Sequence, residues 1–217
     1  MIVLAHRGLW RRDADKNSLP ALREALLAGF GVETDLRDDR GRVVISHDPP
    51  AGDVPSLEQF LDLVADTTSD AILALNVKSD GLHGAIDKAL RDRNIGANRY
   101  FLFDMSPPDA RGYLQRKMPC FSRQSEIEPV PAFIDQAAGV WLDCFAKDWI
   151  NKDIIRAHCD KGRRVALVSP ELHGRDKSVA WTMWRDAHEE LRAEKQANLL
   201  MICTDHPAEA RSYFGED

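Results

Sequence analysis

The chain has 217 residues, of which 44% are hydrophobic, and its formal net charge at pH 7 is −6. This length and composition can bury a sizeable core, and we expect a single domain over residues 1–217. The acidic charge argues against general binding to nucleic acid or to anionic membranes, although one cationic pocket would suffice for a small phosphorylated substrate. No apolar run approaches the ~20 residues of a membrane span and no signal peptide is evident, so the sequence predicts a cytoplasmic protein without stable membrane insertion and leaves its oligomeric state open.

Short apolar runs rich in Val, Ile, Leu and Phe recur along the chain. Most are continuous rather than alternating, which is typical of strands that are buried on both faces. We predict eight such strands, at residues 2–5, 32–36, 71–77, 100–104, 119–122, 139–143, 164–169 and 199–204. A ninth run, 42–46, follows the turn sequence DDRG, and it predicts a short strand that forms a hairpin with the second strand.

Helical patterns lie between many of these strands. The clearest cover residues 18–29, 55–66, 82–94, 149–162 and 178–195. Ser56 and Gln59 have the spacing of a capping box. The repeated alternation predicts an α/β fold, a small (β/α)8 TIM barrel with an extra hairpin strand after strand 2. The segment 105–138 fits least well, because its five prolines leave room only for short helices.

Polar residues stand where several predicted strands end. In a (β/α)8 barrel the carboxyl ends of the strands build the active face. Two residues that are two apart in a strand point to the same side, so the acids of the second strand share a face. The residues concerned are His6, Arg7, Glu33, Asp35, His47 and Lys78.

These residue types match the needs of phosphodiester cleavage. Paired carboxylates supply the hard oxygen ligands that Mg²⁺ and Ca²⁺ prefer, Arg7 and Lys78 can hold a phosphate, and two imidazoles can accept and donate a proton. Other interpretations are a structural salt bridge between Lys78 and the acids, or a Schiff-base aldolase or isomerase that uses Lys78. The second has no need of paired acids and a second histidine.

Three motifs together resemble the glycerophosphodiester phosphodiesterases, within the wider group that includes phosphatidylinositol-specific phospholipase C. They are HRG (6–8), ETD (33–35) and HD (47–48), which stand in the family's order and at family-like spacing. The stretches NSLPAL (17–22), SLEQFL (56–61) and TDHP (204–207) are also similar to family sequences. The resemblance is strong over residues 1–80 and at the tail, and thin in between.

The resemblance implies a function for these residues. His6 and His47 would be the acid–base pair, Arg7 and Lys78 would bind the substrate phosphate, and Glu33 and Asp35 would bind a divalent cation, Mg²⁺ or Ca²⁺. The substrate would be a small glycerophosphodiester or a related phospholipid head-group diester. These motifs do not fix the identity of the alcohol.

One position departs from the family pattern. The family has an acid two residues before the lysine, and this chain has Asn76 in the sequence NVK. Three alternatives are open: Asn76 is a neutral metal ligand, another acid such as Asp143 or Glu171 substitutes, or metal binding and turnover are impaired. The last alternative describes a phosphate-ester-binding barrel with a regulatory role.

Overall fold

The structure is a computed structural model that describes residues 1–67 and 70–215. The chain divides into two compact units. We call Ala5–Cys120 the N-terminal unit, and Met1–Leu4 together with Phe121–Asp217 the C-terminal unit. Strand β1 (Ile2–His6) contributes residues to both.

The described part of the N-terminal unit contains four further strands and four α-helices. The strands are β2 (Gly31–Asp39), β3 (Arg42–Ile45), β4 (Leu73–Val77) and β5 (Tyr100–Phe103). The helices are α1 (Leu19–Leu27), α2 (Leu57–Asp66), α3 (His83–Asp92) and α4 (Pro107–Gln115). The strands lie in the order β5-β4-β2-β1, and β3 pairs with β2. Strands β2, β4 and β5 are parallel, and every residue of β4 and β5 is buried, as their continuous apolar sequences predict.

The extra strand forms the predicted hairpin. Strand β3 runs antiparallel to β2 with Leu36 opposite Ile45. Arg40 and Gly41 form the turn with φ values of 51° and 80°. Positive φ at both central residues gives a turn whose twist matches that of the two strands, and glycine takes this conformation without steric cost.

Up to residue 215, the C-terminal unit contains four parallel strands and three α-helices. The strands are β6 (Phe121–Gln124), β7 (Gly139–Leu142), β8 (Arg164–Val168) and β9 (Leu200–Thr204), and the helices are α5 (Lys152–Cys159), α6 (Ser178–Ala193) and α7 (Pro207–Phe214). Their order in the sheet is β1-β9-β8-β7-β6. Across the residues described, no helix combines the length and the apolar character needed to cross a bilayer.

Eight parallel strands alternating with helices give the α/β fold of a (β/α)8 barrel. The predicted fold class and the hairpin strand after strand 2 are therefore confirmed. The capping box is also present, because the Ser56 side chain accepts from the Gln59 backbone and the Gln59 side chain accepts from the Ser56 backbone.

Helix α4 lies in the proline-rich segment, where the sequence predicts only short helices. Pro107 and Pro108 occupy the first turn of a nine-residue helix, and Ser106 caps it by accepting a bond from the Asp109 backbone. Proline is tolerated in the first turn because the N–H groups there have no partner within the helix. The two prolines therefore begin this short helix.

Candidate active site

The HRG motif forms a tight turn between β1 and α1. His6 ends β1, and Arg7 and Gly8 both have positive φ, at 57° and 93°. A Cβ atom on Gly8 would lie 2.6 Å from the backbone carbon of Ala21, so only glycine allows the turn to approach α1 this closely. The indole of Trp10 donates to the His6 carbonyl over 3.0 Å and fixes the start of the loop.

The two acids of the ETD motif are buried side by side on β2. Glu33 is 1% exposed and Asp35 is 0% exposed. Asn76 on β4 is the register partner of Asp35, and its Nδ2 donates to Glu33 Oε1 over 3.2 Å. His6 Nε2 lies 3.9 Å from the other oxygen of Glu33, Oε2. Three strands thus bring an imidazole, two carboxylates and an amide together.

Asp35 is surrounded by positive charge and donors. Arg7 Nε lies 2.9 Å from Asp35 Oδ2, which is an ion-pair distance, although its N–H is not aligned for a hydrogen bond. Asn17 donates to the same oxygen over 2.8 Å, and Thr34 donates to Asn17 Oδ1 over 2.8 Å. Lys78 Nζ lies 3.6 Å from Asp35 Oδ1.

Burial changes the protonation of Glu33. Its desolvation, followed by the charge of Asp35, raises the pKa of Glu33 from 4.5 to about 7, against the opposing effect of His6, Arg7 and Lys78. Near neutral pH, Glu33 is therefore present in both its protonated and its ionised form, and a cation that binds there competes with the proton.

Three buried oxygens of this cluster have no hydrogen-bond partner among the described residues: Glu33 Oε2, Asp35 Oδ1 and Asn76 Oδ1. Unpaired buried oxygens are costly, and carboxylate and amide oxygens are the ligands that Mg²⁺ and Ca²⁺ prefer. This donor set fits a hard divalent cation. Within residues 1–67 and 70–215, no group of three or more His, Cys, Asp or Glu side chains is placed to hold a metal.

His47 lies apart from these contacts. Its side chain is 45% exposed, and its Nδ1 lies 3.0 Å from Asp48 Oδ1. In the described part of the chain, the His47 ring has no hydrogen bond or ion pair with His6, Glu33 or Asp35. The backbone is anchored, because both Arg37 Nε and Nη2 donate to the His47 carbonyl at 3.2 and 2.9 Å.

Two residues contact the cluster although the sequence motifs give them no role. One is Asn17, which orients Asp35 and whose only sequence signal is its place at the start of the family-like stretch NSLPAL. The other is Asp104, which directly follows β5 and whose Oδ2 lies 3.2 Å from Lys78 Nζ. Neither contact could be predicted, because both depend on the path of loops that follow the strands.

The acids proposed as substitutes for Asn76 belong to the C-terminal unit, where each has its own donors. Asp143 Oδ1 accepts from the Cys144 backbone over 2.9 Å and lies 2.7 Å from His173 Nε2. Glu171 accepts from the hydroxyl groups of Ser169 and Thr204 and from the Asp205 backbone. Both carboxylates therefore have hydrogen-bond or ion-pair partners within their own unit.

A comparison with protein-family models finds no match, and neither does a comparison with curated proteins. Solved structures do match. A protein from Galdieria sulphuraria, assigned provisionally as a glycerophosphodiester phosphodiesterase, superposes with a TM-score of 0.73 at 17% identity, covering 99% of this chain and 98% of its own.

Two further structures extend the similarity. An Oleispira antarctica phosphodiesterase in complex with the product sn-glycerol-3-phosphate gives a TM-score of 0.66 at 15% identity, over 98% of this chain and 96% of its own. A Ca²⁺-dependent phosphatidylinositol-specific phospholipase C from Streptomyces antibioticus gives 0.56 at 10% identity, over 99% and 96%. This chain therefore has the barrel fold that glycerophosphodiester phosphodiesterases and phosphatidylinositol-specific phospholipase C share.

Proposed function

We propose that the chain is a metal-assisted phosphodiesterase that acts on small glycerophosphodiesters or related head-group diesters. The observation that carries this proposal is the buried pair Glu33 and Asp35, with oxygens that lack hydrogen bonds, beside the imidazole of His6 and the cations of Arg7 and Lys78. Burying two acids side by side costs free energy unless they are paired or bind a cation, and such costly groups concentrate at functional sites.

Glu33, Asp35 and Asn76 would hold a divalent cation through these oxygens. When bound, such a cation neutralises the negative charge that develops on the phosphate oxygens during cleavage. The donor set carries two charged groups and one neutral group, so we expect weaker divalent binding than in a site with three carboxylates.

The remaining residues would bind the substrate and move protons. Lys78 and Arg7 would bind the phosphate, since their side chains are partly exposed, at 18% and 20%. His6, next to Glu33, would transfer a proton at the attacking or leaving oxygen. For His47 to take the second acid–base role, its ring would have to turn away from Asp48 when substrate binds.

The substrate class is proposed from the structural neighbours. One of them carries sn-glycerol-3-phosphate as its product, and this chain matches that protein over 98% of its length. A glycerol phosphate is small enough to be held by one arginine and one lysine. In the glycerophosphodiester substrate, the glycerol hydroxyl next to the phosphate offers an internal nucleophile. Its attack on the phosphorus would expel the protonated alcohol and leave a cyclic phosphate, which water would then open to the glycerol phosphate.

A panel of glycerophosphodiesters, incubated with Mg²⁺ or Ca²⁺, tests the proposal. We expect release of an alcohol by the wild-type chain and a loss of at least about 100-fold in His6→Ala, the typical contribution of a general acid or base. Asp62→Asn is the control, because Asp62 is a surface acid of α2 that pairs with Arg93 at the end of α3. Equal rates in His6→Ala and the wild type would contradict the proposed role of His6.

A second candidate is a barrel that binds phosphate esters without efficient turnover. Three observations favour it: the amide of Asn76 in the acid position, the contacts of Arg7 and Asn17 with Asp35, and the contact of the His47 ring with Asp48. Binding of sn-glycerol-3-phosphate together with no alcohol release under any metal condition would favour this candidate over the enzyme.

A further inference from the structure

Asp104 has an unusual backbone conformation. It directly follows strand β5 and has φ of 74°, a left-handed conformation that is uncommon outside glycine but that aspartate tolerates better than most residues. Strained residues of this kind concentrate at functional sites. Arg7 and Asn17, whose side chains contact Asp35, also have positive φ.

We propose that Asp104 is a positioning residue that holds the ammonium group of Lys78 in place for phosphate binding. This inference rests on the proposed function, in which Lys78 binds the substrate. Asp104 Oδ2 lies 3.2 Å from Lys78 Nζ, closer than Asp35 Oδ1 at 3.6 Å. The Lys78 and Asp104 side chains are each only 18% exposed, so solvent screens their attraction less than it would on the open surface.

The role of Asp104 follows from the competing demands on Asp35. Arg7, Asn17 and Lys78 all lie against the Asp35 carboxylate, and Asp35 is also a proposed metal ligand. An oxygen that Asp35 gives to a cation is no longer available to Lys78, and the positive charges would repel each other. Asp104 lies outside the proposed ligand set, so it can keep Lys78 at the site in that state.

The loops that carry these two residues are joined to each other. Asp80, two residues after Lys78, accepts from Ser106 Oγ over 2.6 Å and from the Ser106 backbone over 3.3 Å. Gly81 N donates to Asp109 Oδ1 over 3.0 Å. Hydrogen bonds therefore join the backbone segments that carry Lys78 and Asp104, whereas a surface ion pair usually links two freely moving side chains.

A binding measurement with sn-glycerol-3-phosphate in the presence of Mg²⁺ or Ca²⁺ tests the inference. In Asp104→Asn, which keeps the shape and tolerates the positive φ, we expect the Kd and the KM to rise about tenfold, with kcat and the melting temperature little changed. Asp62→Asn, which removes a carboxylate from an exposed ion pair of the same unit, should leave all four values unchanged. An unchanged Kd and KM in Asp104→Asn would overturn the proposal.

A double-mutant cycle separates positioning from a general charge effect. If Asp104 acts through Lys78, the double variant Asp104→Asn with Lys78→Met binds sn-glycerol-3-phosphate as weakly as Lys78→Met alone. Additive losses in the double variant would show that Asp104 acts independently of Lys78, and would overturn the proposal.

Crystal structures of the wild type and Asp104→Asn decide the question even if the chain neither binds nor cleaves a phosphate ester, in which case the proposed function itself fails. We expect Lys78 Nζ beside Asp104 in the wild type and displaced in the variant, each with the divalent cation present. The same Lys78 position in both structures would overturn the positioning role, whatever the activity.

Discussion

The side chain at position 76 sets the charge of the acid cluster. Asn76 donates to Glu33 and has an Oδ1 without a hydrogen bond, so it stabilises the two carboxylates as a neutral neighbour when no cation is bound. A third carboxylate in the same place would repel the first two and would be stable only with a cation. Under the proposed function, the amide would be a compromise between the stability of the metal-free protein and its affinity for metal.

Replacing this amide by an acid should lower the stability of the metal-free protein and raise its affinity for divalent cations. In Asn76→Asp we expect a lower melting temperature in EDTA, because a third buried carboxylate is unpaired, and an affinity for Ca²⁺ or Mg²⁺ that is higher by at least about tenfold. Calorimetric titration and thermal melts measure both effects. Asn98→Asp, an exposed change in the same unit, should alter neither quantity, and an equal affinity in the two variants would count against Asn76 as a ligand.

The raised pKa of Glu33 predicts a dependence of stability on pH. In the unfolded chain the carboxyl ionises near 4.5, whereas in the folded protein it stays protonated up to about 7. The folded state binds more protons between these values, so the free energy of unfolding falls as the pH rises from 4.5 to 7. In EDTA, we expect the wild type to lose stability over this range relative to Glu33→Gln, which has nothing to titrate there.

If Glu33 is a metal ligand, as proposed, divalent cations should reverse this trend, because a cation would bind the ionised form of Glu33. The rise in melting temperature on adding Ca²⁺ or Mg²⁺ should be larger at about pH 7.5 than at about pH 5.5. Stability curves for the wild type and Glu33→Gln that run parallel across this range would show that Glu33 is already ionised in the folded protein at low pH.

Several contacts of the cluster follow from the sequence. Positions two apart on a strand place Glu33 and Asp35 on one face, and neighbouring parallel strands bring Asn76 opposite Asp35. The hydrogen bond from Asn17 and the ion pair with Asp104 depend instead on left-handed residues in loops, which periodicity does not reveal. The direction of the His47 ring is a rotamer choice on an exposed loop, and no sequence pattern determines it.

At the level of elements, the turn between β1 and α1 controls the position of His6 and Arg7. Gly8 combines a φ of 93° with backbone atoms of Ala21 and Leu22 within 2.8 Å of the position of a Cβ. Gly29, at the end of α1, has a φ of 80° but nothing within 4 Å of that position. A substitution at Gly29 therefore measures backbone strain alone, whereas a substitution at Gly8 adds steric overlap to that strain.

We expect Gly29→Ala to cost about 1 kcal/mol of unfolding free energy, the strain of a left-handed alanine alone. Gly8→Ala should cost at least about 3 kcal/mol, because the helix backbone must also move. Urea unfolding measures both. Equal losses in the two variants would mean that α1 does not pack against the turn as closely as the structure indicates.

The elements themselves were largely predictable. Nine apolar runs identified nine strands, since buried parallel strands have continuous apolar sequences that are visible without any alignment. The short helix α4 has two prolines in its first turn, where a missing N–H costs nothing, and its cap, Ser106, is its only sequence signal. Helix α7 likewise has a proline, Pro207, as its first residue.

For the whole molecule, the fold is shown by similarity to solved structures, whereas the function is proposed from the residues of the site. The barrel fold is shared with phosphodiesterases at 10–17% identity, a level at which the chain can keep its architecture while its active residues change. The residues proposed for catalysis and for ligand binding all belong to the N-terminal unit. The acids of the C-terminal unit, Asp143 and Glu171, have structural partners, and the sequence predicted their positions at strand ends without predicting those bonds.

The most direct test of the central claim is a crystal structure of the chain with Mg²⁺ or Ca²⁺ and sn-glycerol-3-phosphate. We predict one cation bound by oxygens of Glu33, Asp35 and Asn76, and a phosphate contacted by Arg7 and Lys78. A cation bound elsewhere, with Arg7 still against Asp35 and the phosphate far from His6, would contradict the proposal that this cluster is a phosphodiesterase site.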